Sequence, residues 1–152
     1  MTVNSRSALN AYTKQALETE VTSASPHKLV LMLYDGAIAS IAMAKAHMEG
    51  AHVAAKGVSI SKAIAIIEEG LRQGLDKTVG GELAENLDAL YEYMSHRLLL
   101  SNIHNDPAGL DEVTTLLSQL RDAWMQIGSA ASIPASPPVE PVAAAGASYG
   151  KA

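Results

Sequence analysis

The sequence lacks cysteine and phenylalanine, and it is poor in aromatic residues and in charge. Among its 152 residues, 4% are aromatic and 18% are charged, the latter below the usual quarter of a soluble domain. Without cysteine there is no disulfide scaffold, thiolate zinc site or cysteine nucleophile. The formal net charge of −5 argues against a nucleic-acid binder, because electrostatic binding to phosphates requires a basic face.

The sequence also lacks the signals of a membrane or secreted protein. No apolar run approaches the 18 or more residues of a membrane span, and the first residues, MTVNSRSALNAY, contain no apolar signal core. Hydrophobic residues are nevertheless 48% of the chain, and 26 residues are alanine. We therefore expect a cytoplasmic protein without membrane insertion, rich in small apolar side chains.

The composition changes sharply near Gly128. Residues 129–152 hold four of the six prolines and only two charged residues, Glu140 and Lys151. Proline blocks a continuous helix because it lacks an N–H and clashes with the preceding turn. The pattern predicts three parts: an N-terminal segment (1–24), a helical domain (25–128) and a disordered Ala/Pro-rich tail (129–152).

Apolar residues at steps of three and four predict four helices in the middle part. The first begins at Ser25-Pro26, a good cap followed by proline at the first helical position. The others cover about residues 53–77 and 82–103 and a stretch that starts at Pro107. The third helix is expected to bury Leu83, Leu87, Leu90, Met94, Leu98 and Ser101.

Two regions break the regular helical pattern. Gly70 and Gly74 lie one turn apart in the second helix, and because glycine weakens a helix, they predict a close helix approach or a local irregularity. Residues 76–81 end in a glycine pair and are expected to stop that helix. No segment alternates like a strand, so we predict an all-α, antiparallel up-and-down four-helix bundle with a short N-terminal helical segment.

The first helix is more apolar than one buried stripe requires. Residues 36–44 read GAIASIAMA, with no charge on any face, and such a helix is buried on more than one side. One explanation is a tightly packed bundle, which leaves a homodimer open. The other is a groove that accepts an amphipathic helix of a partner protein.

Neither metal binding nor catalysis has a supporting motif. Glu49 and His52 have the spacing of a di-iron ligand pair, but no second copy accompanies them, so we expect no metal and no cofactor. A histidine phosphotransfer domain is the enzymatic alternative. There Lys and Gly follow the histidine by three and four residues, whereas Lys56 and Gly57 follow His52 by four and five. This slip rotates the lysine by about 100°, and we expect no enzyme.

Three segments together resemble the flagellar secretion chaperone family FliS. The first is VTSASPHKLVLMLYDGA (21–37). The second is GGELAENLDALYEYM (80–94), followed by Arg97-Leu98 and Ser101-Asn102. The third joins Glu112-Val113 and Leu116-Leu117 to Leu120-Arg121 and Trp124. The resemblance covers about residues 8–127 in the order and spacing of that family.

This resemblance implies a cytoplasmic export chaperone that binds the C-terminal segment of flagellin. Such a chaperone prevents premature polymerisation and helps deliver flagellin to the flagellar type III export gate. Matching motif positions give the candidate flagellin-binding residues, which are Tyr12, Val21, Leu29, Met32, Leu33, Tyr34, Asn86 and Tyr91. Asp35 and Arg97 are polar positions in the same motifs, and each forms either an internal ion pair or a client contact.

Overall fold

A computed structural model of the chain describes residues 24–131, with side chains described to residue 128. Within this range the chain is all helical and contains no strand. The helices are α1 (Pro26–Glu49), α2 (Val53–Ala65), α3 (Lys77–His104) and α4 (Pro107–Ala131), and a π-helical segment (Ile66–Arg72) continues α2. The four predicted helices are therefore present. The described residues fall into two units, one ending at Arg121 and the other beginning at Asp122.

Helix α1 begins where the sequence predicts. The Ser25 hydroxyl accepts a hydrogen bond from the Lys28 backbone N–H at 3.1 Å, and Pro26 occupies the first helical position. Both features satisfy or avoid unpaired N–H groups at the start of a helix. After Gly50 the chain turns at Ala51, which has a φ of 59°, and α2 starts at Val53.

The second helix loses its α-helical form where the predicted glycine irregularity lies. The π-helical segment contains Gly70 and buries Ile67 and Leu71. A Cβ atom at Gly70 would lie 2.8 Å from Leu33 Cδ2, so the absence of a side chain lets α1 pack closely here. This confirms both alternatives, a close helix approach and a local irregularity, at the same residue.

The predicted stop at residues 76–81 is wrong, because α3 begins there. The Asp76 side chain accepts hydrogen bonds from the N–H groups of Thr78 and Val79 at 3.0 and 3.1 Å, which makes it a helix cap. The break lies inside the helix, at Gly81, with φ 56° and ψ −130°. The sequence signal for irregular backbone was correct, but it marks a kink after the first turn of α3.

The fourth helix begins at Pro107, as the sequence predicts. Asn105 ends α3 in the left-handed conformation, with φ 54°. The Asp106 side chain then accepts a hydrogen bond from the Ala108 N–H at 3.0 Å, and Pro107 opens α4. A cap and a proline again stand at the start of a helix.

The core is built from small and aliphatic side chains on the inner faces of the helices. The largest that are fully buried are Ile41, Ile60, Ile67, Met94, Leu98, Leu110, Val113 and Leu117. Leu83 is an exception to the predicted stripe: it is exposed, and Ala84 is buried in its place. Ala84 lies seven residues before the buried Tyr91 and therefore on the same helical face, whereas Leu83 is rotated about 100° from Ala84.

Helix α1 is long and apolar enough to cross a membrane by length and composition alone. A helix inside a bundle meets the same criteria, and α1 buries Tyr34, Ile41 and Met48 against the rest of the protein. The tail is predicted to begin at residue 129, but α4 continues to Ala131, so the predicted boundary is three residues too early. The rest of the predicted tail, from residue 132 onward, and the predicted N-terminal helical segment lie outside the described residues.

Candidate functional site

Two candidate residues from distant parts of the sequence meet in the core. The hydroxyl groups of Tyr34 on α1 and Tyr91 on α3 are 2.6 Å apart, and both side chains are buried. Burial raises the pKa of both hydroxyls, because the charged form is poorly solvated there. The pair satisfies two buried polar groups and connects α1 to α3, so these residues support the structure around a site.

The other described candidates are more accessible. Leu29, Met32 and Leu33 are half-buried on α1, and Asn86 is exposed on α3. The Leu33 side chain lies beside Gly70 in the π-helical segment. Tyr12 and Val21 lie outside the described residues.

A groove between the second and third helices provides an apolar surface that the sequence did not predict. We call it the α2–α3 groove, and its volume is about 670 Å³. One wall is Ile64 and Glu68; the other is Ala89, Glu92, Tyr93, Ser95, His96 and Leu99. None of the predicted site residues lines it.

The α3 wall of this groove continues into an exposed apolar strip. Leu99 is 47% exposed and Ile103, four residues later on the same face, is 64% exposed. The signal was the run Leu98-Leu99-Leu100: successive helix residues are 100° apart, so three adjacent leucines cannot all face one core. Leu98 is fully buried and Leu99 is outside.

Polar contacts hold the two walls of the groove together. Glu68 accepts a hydrogen bond from the Ser95 hydroxyl at 2.7 Å. Arg72 pairs with Glu68 at 3.0 Å and with Asp88 at 2.7 Å. The Arg72 hydrogen bond, with a further contribution from Lys77, holds the pKa of the Asp88 carboxyl below its ordinary value. These contacts join the π-helical segment to α3 beside the groove.

Asp35 and Arg97, the two motif residues for which the sequence allows two roles, form internal ion pairs. Asp35 pairs with Arg121, and Arg97 pairs with Glu112 at 2.8 Å. Glu112 also accepts a hydrogen bond from the Tyr93 hydroxyl at 2.5 Å. This bond and the Arg97 contact lower the pKa of the Glu112 carboxyl. Both motif residues thus connect α4 to another helix.

The arrangement around His52 does not resemble a phosphotransfer site. His52 precedes α2 as its cap residue, and the neighbouring Lys56 is buried, with its ammonium group bonded to Asn102 and Asn105. Among the described residues there is also no group of three or more His, Cys, Asp or Glu side chains placed to hold a metal ion.

Comparison with known proteins identifies a family over most of the chain. A family model described as "Flagellar protein FliS" matches residues 8–131. The chain is 48% identical over 126 residues to the flagellar secretion chaperone FliS of Salmonella typhimurium, covering 83% of this chain and 93% of that protein. It is 44% identical over 117 residues to FliSB of Pseudomonas aeruginosa, covering 77% and 92% of the two chains.

Another relative has lower identity over a similar length. The chain is 37% identical over 117 residues to the flagellar secretion chaperone FliS of Bacillus subtilis, covering 77% of this chain and 85% of that protein.

Proposed function

The chain belongs to the FliS family of flagellar secretion chaperones, and from this premise we propose that it binds the C-terminal segment of flagellin in the cytoplasm. Binding prevents premature polymerisation and keeps flagellin available for the type III export gate. The family is named for a chaperone activity and not for a catalysed reaction, and we propose no enzymatic step.

The observation that carries this proposal is the exposed apolar surface of α3 beside the α2–α3 groove. A client segment that becomes helical on binding loses conformational entropy, which a large apolar contact must offset. Leu99 and Ile103 are exposed on one helical face, and Ile64 lines the wall of the groove opposite Leu99. An amphipathic client helix bound there would bury all three side chains.

The ion pairs support the antiparallel arrangement that this surface requires. On α1, Asp35 pairs with Arg121 and the later Lys45 pairs with the earlier Asp111, so we infer that α1 and α4 run in opposite directions. The same reversal relates α2 to α3, since Lys56 contacts Asn102 and Arg72 contacts Asp88.

The predicted site residues are assigned different roles in this proposal. Leu29, Met32 and Asn86 are accessible and contact the client directly. Leu33 contributes by packing on the π-helical segment. Tyr34 and Tyr91 act through the shape of the bundle, because both are buried. We keep Tyr12 and Val21 as proposed client contacts.

The proposal is tested by co-purification with two forms of flagellin. Full-length flagellin is expected to form a 1:1 complex, and flagellin lacking its last helical segment is expected to be lost during washing. Equal retention of both forms would show that the C-terminal segment is not the binding site. Measuring the mass of the free chaperone in solution separates this function from that of a purely structural dimer, which would bind neither form.

A further inference from the structure

A second cavity lies at the opposite end of α3 from the Gly81 kink. It has a volume of about 230 Å³ and lies between the α1–α2 turn and the end of α3. Its polar lining residues are His47, His52, Lys56 and Asn105, and its apolar ones include Met48 and Val53. Nothing in the proposed binding of flagellin uses this cavity.

The unusual feature of the cavity is a buried ammonium group without a carboxylate partner. Lys56 is only 5% exposed. Its Nζ donates hydrogen bonds to the Asn102 carbonyl at 3.1 Å and to Asn105 Oδ1 at 2.9 Å, and both acceptors are uncharged. No ion pair of Lys56 exists among the described residues. A buried charge is costly unless an opposite charge compensates it.

The residues that line the cavity can supply hydrogen-bond donors to an anion. An ammonium group has three donors, so one remains after the two bonds to α3, and the Asn105 amide nitrogen adds another. The rings of His47 and His52 stand 5.8 Å apart at the same cavity. Each imidazole offers an N–H to an oxygen atom, and a metal cation is disfavoured by the nearby ammonium group.

We propose that this cavity binds an aliphatic carboxylate, either a small free acid or the C-terminus of a polypeptide. The carboxylate pairs with Lys56 and accepts hydrogen bonds from Asn105 and a histidine N–H. The short aliphatic group lies against Met48 and Val53. Inorganic phosphate offers the charge but nothing for the apolar wall. This proposal does not depend on flagellin binding.

The test is an NMR titration of the full chain with isovalerate, its uncharged analogue isovaleramide, and inorganic phosphate. We expect saturable shifts from isovalerate at residues 47–56 and 102–106, and no saturable shift from the other two. A peptide with a free C-terminal leucine is titrated in parallel. Tighter binding of isovalerate indicates a small free acid as the ligand, and tighter binding of the peptide indicates a polypeptide C-terminus. Equal shifts from isovaleramide, saturation by phosphate alone, or no saturable shift from either carboxylate would overturn the proposal.

Variants separate carboxylate binding from the role of Lys56 in closing the end of α3. Lys56→Met is expected to weaken isovalerate binding about tenfold or more, whereas Lys62→Met, at an exposed lysine of the same helix, leaves it unchanged. His52→Gln changes an exposed side chain, so it keeps the fold and tests the site if Lys56→Met does not fold. Unchanged isovalerate binding in His52→Gln and in any folded Lys56→Met would contradict the proposal.

Discussion

The two faces of α3 use similar apolar residues for opposite purposes. The inner face buries Tyr91, Met94 and Leu98, whereas the outer face leaves Leu99 and Ile103 exposed to solvent. Burial of an apolar side chain stabilises the fold, but an exposed one contributes little to stability and is available to a partner. An apolar residue of a helical motif can therefore be assigned to the core or to a binding surface only when the face on which it lies is known.

The largest effect is expected from Leu98→Ala on the inner face. Removing a fully buried leucine side chain leaves a cavity, and such changes cost about 2–5 kcal/mol of unfolding free energy. Urea unfolding measures the loss, and flagellin binding should fall only as far as the unfolded fraction rises. A change below about 1 kcal/mol would contradict the burial of Leu98 and with it the division of α3 into two faces.

The tyrosine pair gives the next largest effect. Tyr34→Phe leaves the buried Tyr91 hydroxyl without its partner, which costs about 1–3 kcal/mol. Adding Tyr91→Phe removes the unsatisfied group, so the double variant should recover part of the loss. Thermal unfolding of Tyr34→Phe, Tyr91→Phe and the double variant completes the double-mutant cycle. Additive losses would show that the two hydroxyls are not coupled.

Ser101 is expected to change stability in the opposite direction. Its hydroxyl is buried and has no hydrogen-bond partner among the described residues, so it carries a desolvation cost without compensation. Ser101→Ala should raise the unfolding free energy by about 1 kcal/mol, measured by urea unfolding. Destabilisation would mean that the hydroxyl has a partner after all.

The carboxylates of Asp88 and Glu112 should make stability depend on pH, whereas the apolar side chains of the inner face do not titrate. The pKa values of Asp88 and Glu112 are lowered in the folded protein, so their contribution is fully present above the ordinary values of 3.8 and 4.5. It is lost as pH falls through the folded pKa values. Asp88→Asn combined with Glu112→Gln should flatten the acid side of a plot of urea midpoint against pH. An unchanged slope would exclude these two groups as its source.

Local signals predicted much of the fold. Ser25-Pro26 and Asp106-Pro107 start helices because cap and proline act on their own turn. Asp76 caps α3 instead of ending the second helix, because a polar residue before a glycine pair suits a helix start as well as a helix end. The glycine spacing in the second helix predicts a close approach at Gly70, but the partner there is Leu33 of α1, and spacing within one helix does not identify a residue on another.

The candidate site was harder to predict for the same reason. Tyr34 and Tyr91 are 57 residues apart in sequence, and their motif positions gave no indication that they hydrogen-bond to each other in the core. The α2–α3 groove exists only because two helices lie side by side. The exposure of Leu99 could be predicted from the sequence, because helical geometry places it on a different face from Leu98.

One pair of variants tests whether the outer face of α3 binds flagellin. Leu99→Asp places a charge in the groove, and Val58→Asp places the same charge at an exposed apolar residue of α2 that does not line it. Both should unfold within about 0.5 kcal/mol of the parent protein, because both sites are on the surface. Calorimetric titration with full-length flagellin should then show about tenfold or greater weakening for Leu99→Asp and none for Val58→Asp. Flagellin affinity equal to that of the parent in a folded Leu99→Asp variant would contradict the account.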